Sequence, residues 1–372
     1  MKRQIALVGG QLVPVYLGIR ERNPEHVHLI YSDELVSKVK TLKSQFNSVV
    51  FSDHIVDPYD FQELSDLVES LVFENDNDSW GVNLTGGTKV MTLAAHNIFK
   101  ELDFDSFYID QSNRLFSFKE KLFTEIETDI KITTFLKLSG HTNIRKSTLS
   151  AYDKEEFGIA EKMLELMQDS DVDLLFRTVA SKVRDHSVKS FKQKLDSGAS
   201  MSWSSGTLMI KTAKSDYITY HPNAFFICFS GLWWELVVAS AVRSWSLKKE
   251  MLVGVELLAN TDEKFAKNEI DIIMNTGKNM VFIECKAGNV KQEDINKMRV
   301  VKRLYGGIAS RSILVCYKLP RKDLLEKCVD LDIDVFALQR RVSNKSRKGY
   351  VAITSLEHLN TRLTKLIGKK QV

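Results

Sequence analysis

Three residues on a predicted β-hairpin have the types and spacing of a hydrolytic site. Asp271 lies in one apolar run, Glu284 and Lys286 lie in the next, and Gly277 marks a turn between the runs. Two β-branched runs joined by a short polar turn predict a hairpin. Because side chains two positions apart share one face of a strand, Glu284 and Lys286 should point the same way. Glu269 should likewise share a face with Asp271.

Carboxylates on otherwise apolar strands indicate a cation site, because an unpaired charge is costly to bury. Carboxylate oxygens are ligands that suit Mg²⁺ and Mn²⁺ equally, so the ligand types do not separate the two metals. Asp271 and Glu284 would hold the ion, which would polarise a scissile phosphate and lower the pKa of a bound water. Lys286 would orient or activate that water, or offset charge on the phosphate. The plain alternative is a surface strand with an ordinary Glu–Lys ion pair.

The remaining side chains of the two runs are expected in the core. Those predicted to face away from the carboxylates are Val281, Ile283, Cys285, Ile270 and Ile272. We interpret Cys285 as a small core residue rather than a nucleophile. The four cysteines are scattered along the chain without a C-x-x-C pair or a Cys/His cluster, which argues against a zinc site and against a disulfide scaffold.

The length and composition of the chain indicate its broad class. At 372 residues it should hold two domains, and 44% hydrophobic with 27% charged residues is typical of a soluble globular protein. No stretch approaches the roughly 20 apolar residues of a membrane span, and the first apolar run, 4–8, is too short for a signal peptide. We therefore expect a cytoplasmic protein. A basic cluster at 340–348 could contact phosphates, or it could be a solvated loop.

The first half of the sequence alternates predicted strands with predicted helices, from a strand at 4–8 to a pair of strands within 106–118. This alternation is typical of a parallel sheet covered by helices on both faces, a Rossmann-like domain. Ligands of such sheets collect at the carboxyl ends of the strands. Two loops are expected there: residues 9–14 follow the first strand, and residues 83–89 follow the fourth.

The second of these loops has the composition of an anion-binding turn. Gly86 and Gly87 would let a ligand approach the backbone closely, and Thr85 and Thr88 offer hydroxyl groups. Thr88 should begin a helix, whose amino end favours anions, and Lys89 adds a positive charge. The spacing differs from that of a P-loop and from that of a G-x-G-x-x-G dinucleotide loop. A glycine turn capped by threonine is the structural alternative.

The stretch from Asn83 to Met91 resembles the signature of CARF domains, the Rossmann-like sensors associated with CRISPR systems. The resemblance implies that a cyclic oligoadenylate binds across the two-fold axis of a homodimer. It also implies ligand contacts in both loops, at Gly10, Gln11, Leu12, Thr85, Gly86, Gly87, Thr88 and Lys89. The T-G-G-T-K stretch carries the match by residue type, whereas the first loop matches by its location.

A further carboxylate precedes the hairpin in the second half of the sequence. Gly231 should open an apolar helix in which Glu235 is the acidic residue near the start. A carboxylate in the first turn is favourable to the helix dipole, which is one interpretation of Glu235. The other interpretation is a further metal ligand that is supplied from a helix.

The predicted order of helix, three strands, helix and strand resembles the PD-(D/E)xK core of restriction-endonuclease-like enzymes across residues 200–340. The resemblance implies a metal nuclease with Asp271, Glu284, Lys286 and Glu235 as catalytic residues. Asp271, Glu284, Glu235 and the main-chain carbonyl of Cys285 would hold the metal. Members of this family often have Gly-Trp-Leu-Glu before the first helix, and this sequence departs from that motif while it keeps the carboxylate.

Together the two resemblances imply a type III CRISPR ancillary nuclease of the Card/Can class. We expect an α/β protein with a Rossmann-like CARF domain at 1–140, a linker and helical segment at 141–198, and a restriction-endonuclease-like domain at 199–372. The implied activity is metal-dependent, non-specific cleavage of DNA or RNA in antiviral defence. Cyclic tetra-adenylate is the activator that the resemblance implies, and no membrane is expected to take part.

Other functions stay open at the level of sequence. The protein could be a sensor or regulator whose nuclease-like domain binds nucleic acid without cutting it. The sensor domain could also degrade its own ligand slowly, or the first half could serve only to dimerise a DNA-repair nuclease. The sequence does not distinguish RNA from DNA, single strands from double strands, Mg²⁺ from Mn²⁺, or one activator ring size from another.

Overall fold

The computed structural model describes residues 1–141, 143–180, 182–183, 188–258, 266–277, 279–303, 310–338, 351–353 and 355–368. In this part of the chain, three β-sheets and their covering helices make up two domains. The basic cluster predicted at 340–348 lies outside the described residues.

A seven-stranded sheet in the order β3-β2-β1-β4-β5-β6-β7 is the centre of the amino-terminal domain. Its strands are Lys2–Leu7 (β1), His26–Tyr31 (β2), Val50–Ile55 (β3), Ser79–Asn83 (β4), Asp105–Ile109 (β5), Arg114–Ser117 (β6) and Leu122–Glu125 (β7). Its helices are Val13–Arg22 (α1), Val36–Lys43 (α2), Phe61–Phe73 (α3), Lys89–Glu101 (α4) and Ile132–Leu138 (α5). The strands β3, β2, β1, β4 and β5 are parallel, which confirms the Rossmann-like prediction.

The central strand β1 is buried on both faces, as a parallel strand between two helical layers should be. Ile5 and Leu7 pack into one apolar cluster, together with Ala94 and Phe99 of α4. Ala6 packs into a second cluster on the other face of the sheet. Because β1 pairs with β4 in parallel, the loops that follow these two strands emerge side by side at one edge of the sheet.

The rest of the described chain forms a four-stranded antiparallel sheet, a second seven-stranded sheet in the order β18-β17-β16-β15-β14-β13-β8, and their helices. The strands are Ile144–Ser147 (β8), Ser190–Lys194 (β9), Ser200–Ser204 (β10), Thr207–Lys211 (β11), Asp216–Thr219 (β12), Glu250–Leu258 (β13), Ala266–Asn275 (β14), Met280–Lys286 (β15), Arg311–Cys316 (β16), Ile333–Leu338 (β17) and Val351–Ile353 (β18). The helices are Lys154–Leu166 (α6), Ser170–Val179 (α7), Ala224–Ser230 (α8), Leu232–Arg243 (α9), Gln292–Val301 (α10), Lys322–Asp330 (α11) and Glu357–Gly368 (α12). The predicted hairpin is present as β14 and β15.

The segment 141–198, which we expected to be a linker and helical module, packs against the carboxy-terminal domain. Its strand β8 pairs antiparallel with β13 at the edge of the second seven-stranded sheet. Met163 of α6 and Leu175 of α7 are buried in the same cluster as Trp234 of α9. The described residues of this segment therefore enlarge the core of the second domain.

One apolar cluster is shared by the two domains. Ala6 and Leu136 enter it from the amino-terminal domain, and Ile273, Phe282 and Val301 enter it from the carboxy-terminal domain. All five side chains are less than 5% exposed. Because burial of apolar side chains is the main source of stability, this cluster holds the domains together as one packed unit.

Polar contacts fix the hairpin against the segment that precedes α5. The side-chain amide of Asn275 donates to the Ile130 carbonyl, and the Ile132 N–H donates to Glu250 Oε2 at 2.7 Å. Lys249 Nζ lies 2.6 Å from Asp129 Oδ2. Asn275 at the turn of the hairpin and the start of the neighbouring strand β13 are thus anchored to the amino-terminal domain.

In the part of the chain that the structure describes, none of the helices has by itself the length and apolar character of a membrane span. The pair α8 and α9 meets the length and composition criteria jointly, with a bend of 87° between them. Both helices contribute buried side chains to the core of the carboxy-terminal domain, including Ile227 and Trp234. Their apolar character is therefore accounted for by packing inside the protein.

Three histidines stack against one another on the amino-terminal sheet. The rings of His26 and His28 lie 4.3 Å apart, and His28 Nδ1 lies 3.1 Å from His54 Nε2. The Arg3 guanidinium is 2.9 Å from His26 Nδ1. Burial, together with the nearby charges of His26, His54 and Arg3, lowers the pKa of His28 to about 3. His28 is therefore held as a neutral ring at neutral pH.

This buried ring predicts an acid-sensitive fold. Unfolded His28 takes up a proton near pH 6.5, whereas the folded state does so near pH 3, so the stability present above pH 6.5 should be lost as the pH falls. At pH 5 the loss attributable to His28 should be about 2 kcal/mol, from ~1.4 kcal/mol per pH unit. Urea unfolding of wild type and His28→Gln between pH 8 and pH 5 measures it.

The control for this prediction is His358→Gln, since His358 is exposed on α12. The wild-type and His358→Gln stability curves should fall in parallel, and the His28→Gln curve should be flatter. Parallel curves for all three proteins would contradict the assignment of the acid sensitivity to His28.

Candidate active site and anion-binding cleft

The strands β14 and β15 separate at the predicted site. Their pairing runs from Asn275 with Met280 to Ile272 with Ile283, and beyond this point β15 continues against β16. The Asp271 carboxylate lies at this fork, where its Oδ2 accepts the Cys285 N–H at 2.6 Å. At the fork, the Asp271 carboxylate thus takes the place of the main-chain carbonyl that would accept the Cys285 N–H in a continuous strand pair.

The expected alternation of side chains changes at Asp271. Ile270 packs into the cluster shared with the amino-terminal domain, whereas Ile272 packs into the core on the other face. The prediction that these two residues share a face is therefore wrong. The partner strand β13 contains Gly254 between the Val253–Ile272 and Val255–Ile270 pairs, with a φ of 54°. This left-handed residue bends the strand pair where the carboxylate enters.

Glu284 is 4% exposed and is held by two ammonium groups. Lys286 Nζ lies 2.9 Å from Glu284 Oε1, and Lys297 Nζ lies 3.1 Å from Oε2 and 3.2 Å from Oε1. Lys286 also lies 3.3 Å from Asp294 Oδ1. The predicted Glu284–Lys286 pair is therefore one part of a four-residue ionic network between β15 and α10.

Our reading of the sequence missed Asp294 and Lys297. Both lie on α10, each one position before a buried apolar residue, Ile295 or Met298. That spacing places them beside the stripe that faces the sheet, so a helix following the E-x-K strand could have indicated them.

Glu235 approaches the same site from α9. Gly231, with a φ of 96°, allows the sharp turn before the helix, and Trp234 Nε1 donates to the Val315 carbonyl at 2.9 Å to tie α9 to the sheet. Burial, and then the charges of Glu269 and Glu284, raises the pKa of Glu235 to about 7. The charges of Glu269 and Glu284 on the hairpin therefore act on Glu235.

Burial and the neighbouring carboxylates disfavour the ionisation of Asp271. Burial, and then the charges of Glu284 and Glu235, raises the pKa of Asp271 well above its ordinary value. Burial and the charges of Glu235, Glu156 and Glu269 likewise raise the pKa of Tyr152, which places this tyrosine near the site. A site with this pattern of pKa shifts favours the binding of an added positive charge.

The donor set has the chemistry that Mg²⁺ or Mn²⁺ requires, namely carboxylate oxygens at a partly enclosed site. Among the described residues, no three acidic, histidine or cysteine side chains are arranged as a formed metal centre. Lys286 and Lys297 take the Glu284 oxygens instead. The Cys285 thiol lies in the core, where burial raises its pKa well above the ordinary value. Metal binding by Asp271, Glu284, Glu235 and the Cys285 carbonyl therefore stays a prediction.

A cleft of ≈ 510 Å³ opens at the carboxyl ends of the amino-terminal strands. Six of the eight predicted ligand contacts line it: Gly10, Gln11, Leu12, Thr85, Gly86 and Gly87. Thr88 and Lys89 are not among the lining residues. The Thr88 hydroxyl donates to the Pro58 carbonyl and accepts the Met91 N–H as the cap of α4, and Lys89 is exposed in the first turn.

The two loops of the cleft touch backbone to backbone. A Cβ atom on Gly86 would lie 2.0 Å from the Leu7 carbonyl oxygen, and one on Gly9 would lie 2.9 Å from the Gly87 nitrogen. A Cβ on Gly10 would meet no atom within 4 Å. Gly86 is therefore required by contact within the protein, whereas Gly10 faces open space in the cleft.

The hydroxyl of Thr85 is already engaged in the wall of the cleft. It donates to Asn83 Oδ1 at 2.6 Å and accepts the Ile109 N–H at 2.8 Å. The Thr85 N–H also donates to Asn83 Oδ1, at 3.0 Å. These bonds fix the loop after β4 against β5 and give the cleft a preformed wall.

The cleft has a positive character that the sequence did not reveal. Lys38, Lys137 and Arg303 all line it, and Lys38 Nζ donates to the Gly10 carbonyl at 3.0 Å. The acidic residue Asp110 is paired with Arg114 at 2.8 Å. Lysine and arginine around a preformed loop pair suit a ligand with several phosphates.

Comparisons with known proteins agree with this division into two domains. Residues 4–136 match the family model of the Card1 CARF domain, and residues 226–340 match the model of the Card1-like endonuclease domain. The predictions of a CARF-type sensor and of an endonuclease domain are thereby confirmed. A comparison with curated proteins gave no match.

Solved structures share the whole fold at low identity. Can2 from Sulfobacillus thermosulfidooxidans in complex with cyclic tetra-adenylate is 17% identical, with a TM-score of 0.72 and 99% of both chains covered. Protein VC1899 from Vibrio cholerae is 14% identical, with a TM-score of 0.70 and 98% of both chains covered. A type III CRISPR defence DNA nuclease activated by cyclic oligoadenylate is 17% identical, with a TM-score of 0.61 over 98% of this chain and 51% of that one.

The glycine contacts predict opposite outcomes for two alanine substitutions. Gly86→Ala should lower the free energy of unfolding by about 1–3 kcal/mol and distort the cleft, because backbone atoms must move to admit the methyl group. Gly10→Ala should change stability by less than about 0.5 kcal/mol, since its methyl group meets no neighbour. Urea unfolding measures both, and equal stability losses in the two variants would refute this account of the loop contact.

Proposed function

The chain belongs to the Card1 family of CARF-domain endonucleases, and we propose on that premise that it is a metal-dependent nuclease activated by a cyclic oligoadenylate in type III CRISPR antiviral defence. The observation that carries the proposal is the strand fork, where Asp271 and buried Glu284 lie beside Lys286. Buried carboxylates such as Asp271 and Glu235, whose pKa values are raised, are unfavourable in a core unless they have a functional role. The same chain has a basic cleft at the edge of its sensor sheet.

Asp271, Glu284, Glu235 and the Cys285 carbonyl would hold Mg²⁺ or Mn²⁺ in this proposal. The bound ion would supply Lewis-acid activation of the scissile phosphate and a water of lowered pKa. Burial by itself would lower the pKa of Lys286, but the charge and hydrogen bond of Glu284 raise it above its ordinary value. Lys286 therefore stays protonated at neutral pH and offsets charge on the phosphate rather than accepting a proton from water.

The ligand proposed for the cleft is cyclic tetra-adenylate. Lys38, Lys137 and Arg303 would contact its phosphates, and Gly10 leaves room for close approach of the ligand to the backbone. We propose that two copies of the chain bind one ligand. Thr88 and Lys89 stay proposed contacts in that assembly, although they lie outside the cleft of the single chain.

Cleavage of three labelled substrates tests the proposal: single-stranded RNA, single-stranded DNA and supercoiled plasmid. Each is incubated with Mn²⁺ or Mg²⁺, with and without cyclic tetra-adenylate. Cutting that needs both metal and ligand is the expected result, and it would name the substrate. Tight ligand binding without cutting of any substrate would favour the alternative, a regulator that binds nucleic acid without cleaving it.

Glu284→Gln should separate cutting from sensing. The variant should lose at least about 100-fold in cleavage rate, in line with losses seen when a group that stabilises the transition state is removed, while its affinity for cyclic tetra-adenylate is unchanged. Cleavage kinetics and calorimetric ligand titration provide the two measurements. Glu326→Gln is the matched control, since Glu326 is an exposed carboxylate on α11. Normal cutting by Glu284→Gln would place the active site elsewhere.

A further inference from the structure

Helix α10 contacts both candidate sites. Asp294 and Lys297 on this helix pair with Lys286 and Glu284 at the strand fork. Arg303, two residues beyond the end of the helix, lines the cleft of the amino-terminal domain. At about 1.5 Å rise per residue, Lys297 and Arg303 are only about 9 Å apart along the helix axis. Because the helix is short, a displacement of one end would also move the other end.

Lys297 holds the carboxylate that a metal would need. Its Nζ lies 3.1 Å and 3.2 Å from the two Glu284 oxygens, and Lys286 takes Oε1 as well. Both lysines are partly buried, so their charges are weakly screened at this site. A divalent cation that approaches Glu284 meets two ammonium groups, and at least one of them must leave before the ion can bind both oxygens.

The guanidinium group of Arg303 is suited to bind a phosphate in the cleft. Its side chain is exposed, and it faces the same cavity as Lys38 and Lys137. A guanidinium group binds phosphate oxygens through two parallel hydrogen bonds, which fixes the position of the arginine as well as its charge. It is the cationic lining residue that comes from the carboxy-terminal domain, whereas the two lysines come from residues 1–140.

Helix α10 packs against the sheet beside the Glu284 carboxylate. A void of ≈ 10 Å³ lies there, lined by Glu284, Met298 and Val301 among other residues. Val301 belongs to the core that the two domains share. The helix is thus joined to the shared core at its carboxyl end, and the same stretch of the helix lies beside Glu284.

We propose that α10 couples the two sites, with Arg303 as a ligand-binding residue and Lys297 as an inhibitory positioning residue. This inference rests on the proposed function. Binding of a ligand phosphate by Arg303 shifts the helix and withdraws Lys297 from Glu284, which frees the carboxylate for the divalent cation. The ligand acts in this way because it binds the withdrawn state more tightly than the paired state.

Metal affinity without ligand tests the inhibitory role of Lys297. Mn²⁺ binding to the full-length protein is measured by titration calorimetry and by the electron paramagnetic resonance signal of free Mn²⁺. Lys297→Met and Lys297→Gln should bind Mn²⁺ at least tenfold more tightly than wild type in the absence of ligand, and cyclic tetra-adenylate should add little further affinity. Two variants are used so that a folding defect in one leaves the test intact.

The matched control is Lys302→Met. Lys302 directly follows the last residue of α10, but its Nζ pairs with Asp332 at 2.6 Å, away from the fork. Its Mn²⁺ affinity should equal that of wild type. Unchanged or weakened Mn²⁺ binding in both Lys297 variants would overturn the inhibitory role.

Ligand response tests the role of Arg303. In Arg303→Ala the concentration of cyclic tetra-adenylate that half-activates cutting should rise at least tenfold, and Arg303→Lys should recover part of the loss. Lys302→Ala is again the control, with the wild-type response expected. The double variant Arg303→Ala with Lys297→Met should cut without ligand, because its second substitution removes the group that the ligand displaces.

Failure of the inference is distinguishable from failure of the proposed function. If wild type neither binds nor responds to cyclic tetra-adenylate, the activator in the proposed function is wrong, and the role of Arg303 as a contact of that ligand is wrong with it. If wild type responds and Arg303→Ala responds at the same concentration, the coupling role of α10 is wrong while the proposed function stands.

Discussion

The burial of β14 and β15 on both faces is the constraint on which the rest of the structure depends. One face packs in the core of the carboxy-terminal domain, and the other packs in the cluster shared with the sensor domain. Where the two strands pair with each other, residues 272–275 with 280–283, charged side chains have no solvated face to occupy. They are confined to the fork where the strands separate, and there the Cys285 N–H and the lysines compensate for Asp271 and Glu284.

The shared cluster also explains why a sensor and an enzyme in one chain need not be tied together by a flexible linker. Phe282 and Ile273 lie on the strands that hold the candidate active site, yet they pack with Ala6 and Leu136 of the sensor domain. Close-packed interiors transmit small displacements, because they change between discrete arrangements rather than deform smoothly. The hairpin thus packs against the core of the carboxy-terminal domain on one face and contacts the sensor domain on the other, which is the connection that the proposed function requires.

The residues that act on each site come from elements far apart in sequence. Glu284 is held by Lys297 of the following helix, Glu235 arrives from an earlier one, and Arg303 reaches the cleft of the other domain. Contacts between residues that are distant in sequence are not encoded in local patterns, because they arise where helices cross a sheet. This is the reason that Arg303 escaped prediction, whereas the hairpin, whose contacts are local, was predicted correctly and the helical spacing of α10 could have indicated Lys297.

The sequence by itself determined the alternating strands and helices of the sensor domain, the two glycine-containing loops at its strand ends, and the pairing of β14 with β15. These features follow from residue periodicity and turn chemistry, which act over a few positions. Only the tertiary structure decided that Ile270 and Ile272 face opposite ways, that Thr88 lies outside the cleft, and that segment 141–198 packs with the second domain. Those outcomes depend on strand bending and on packing between distant segments, which no local pattern of residues encodes.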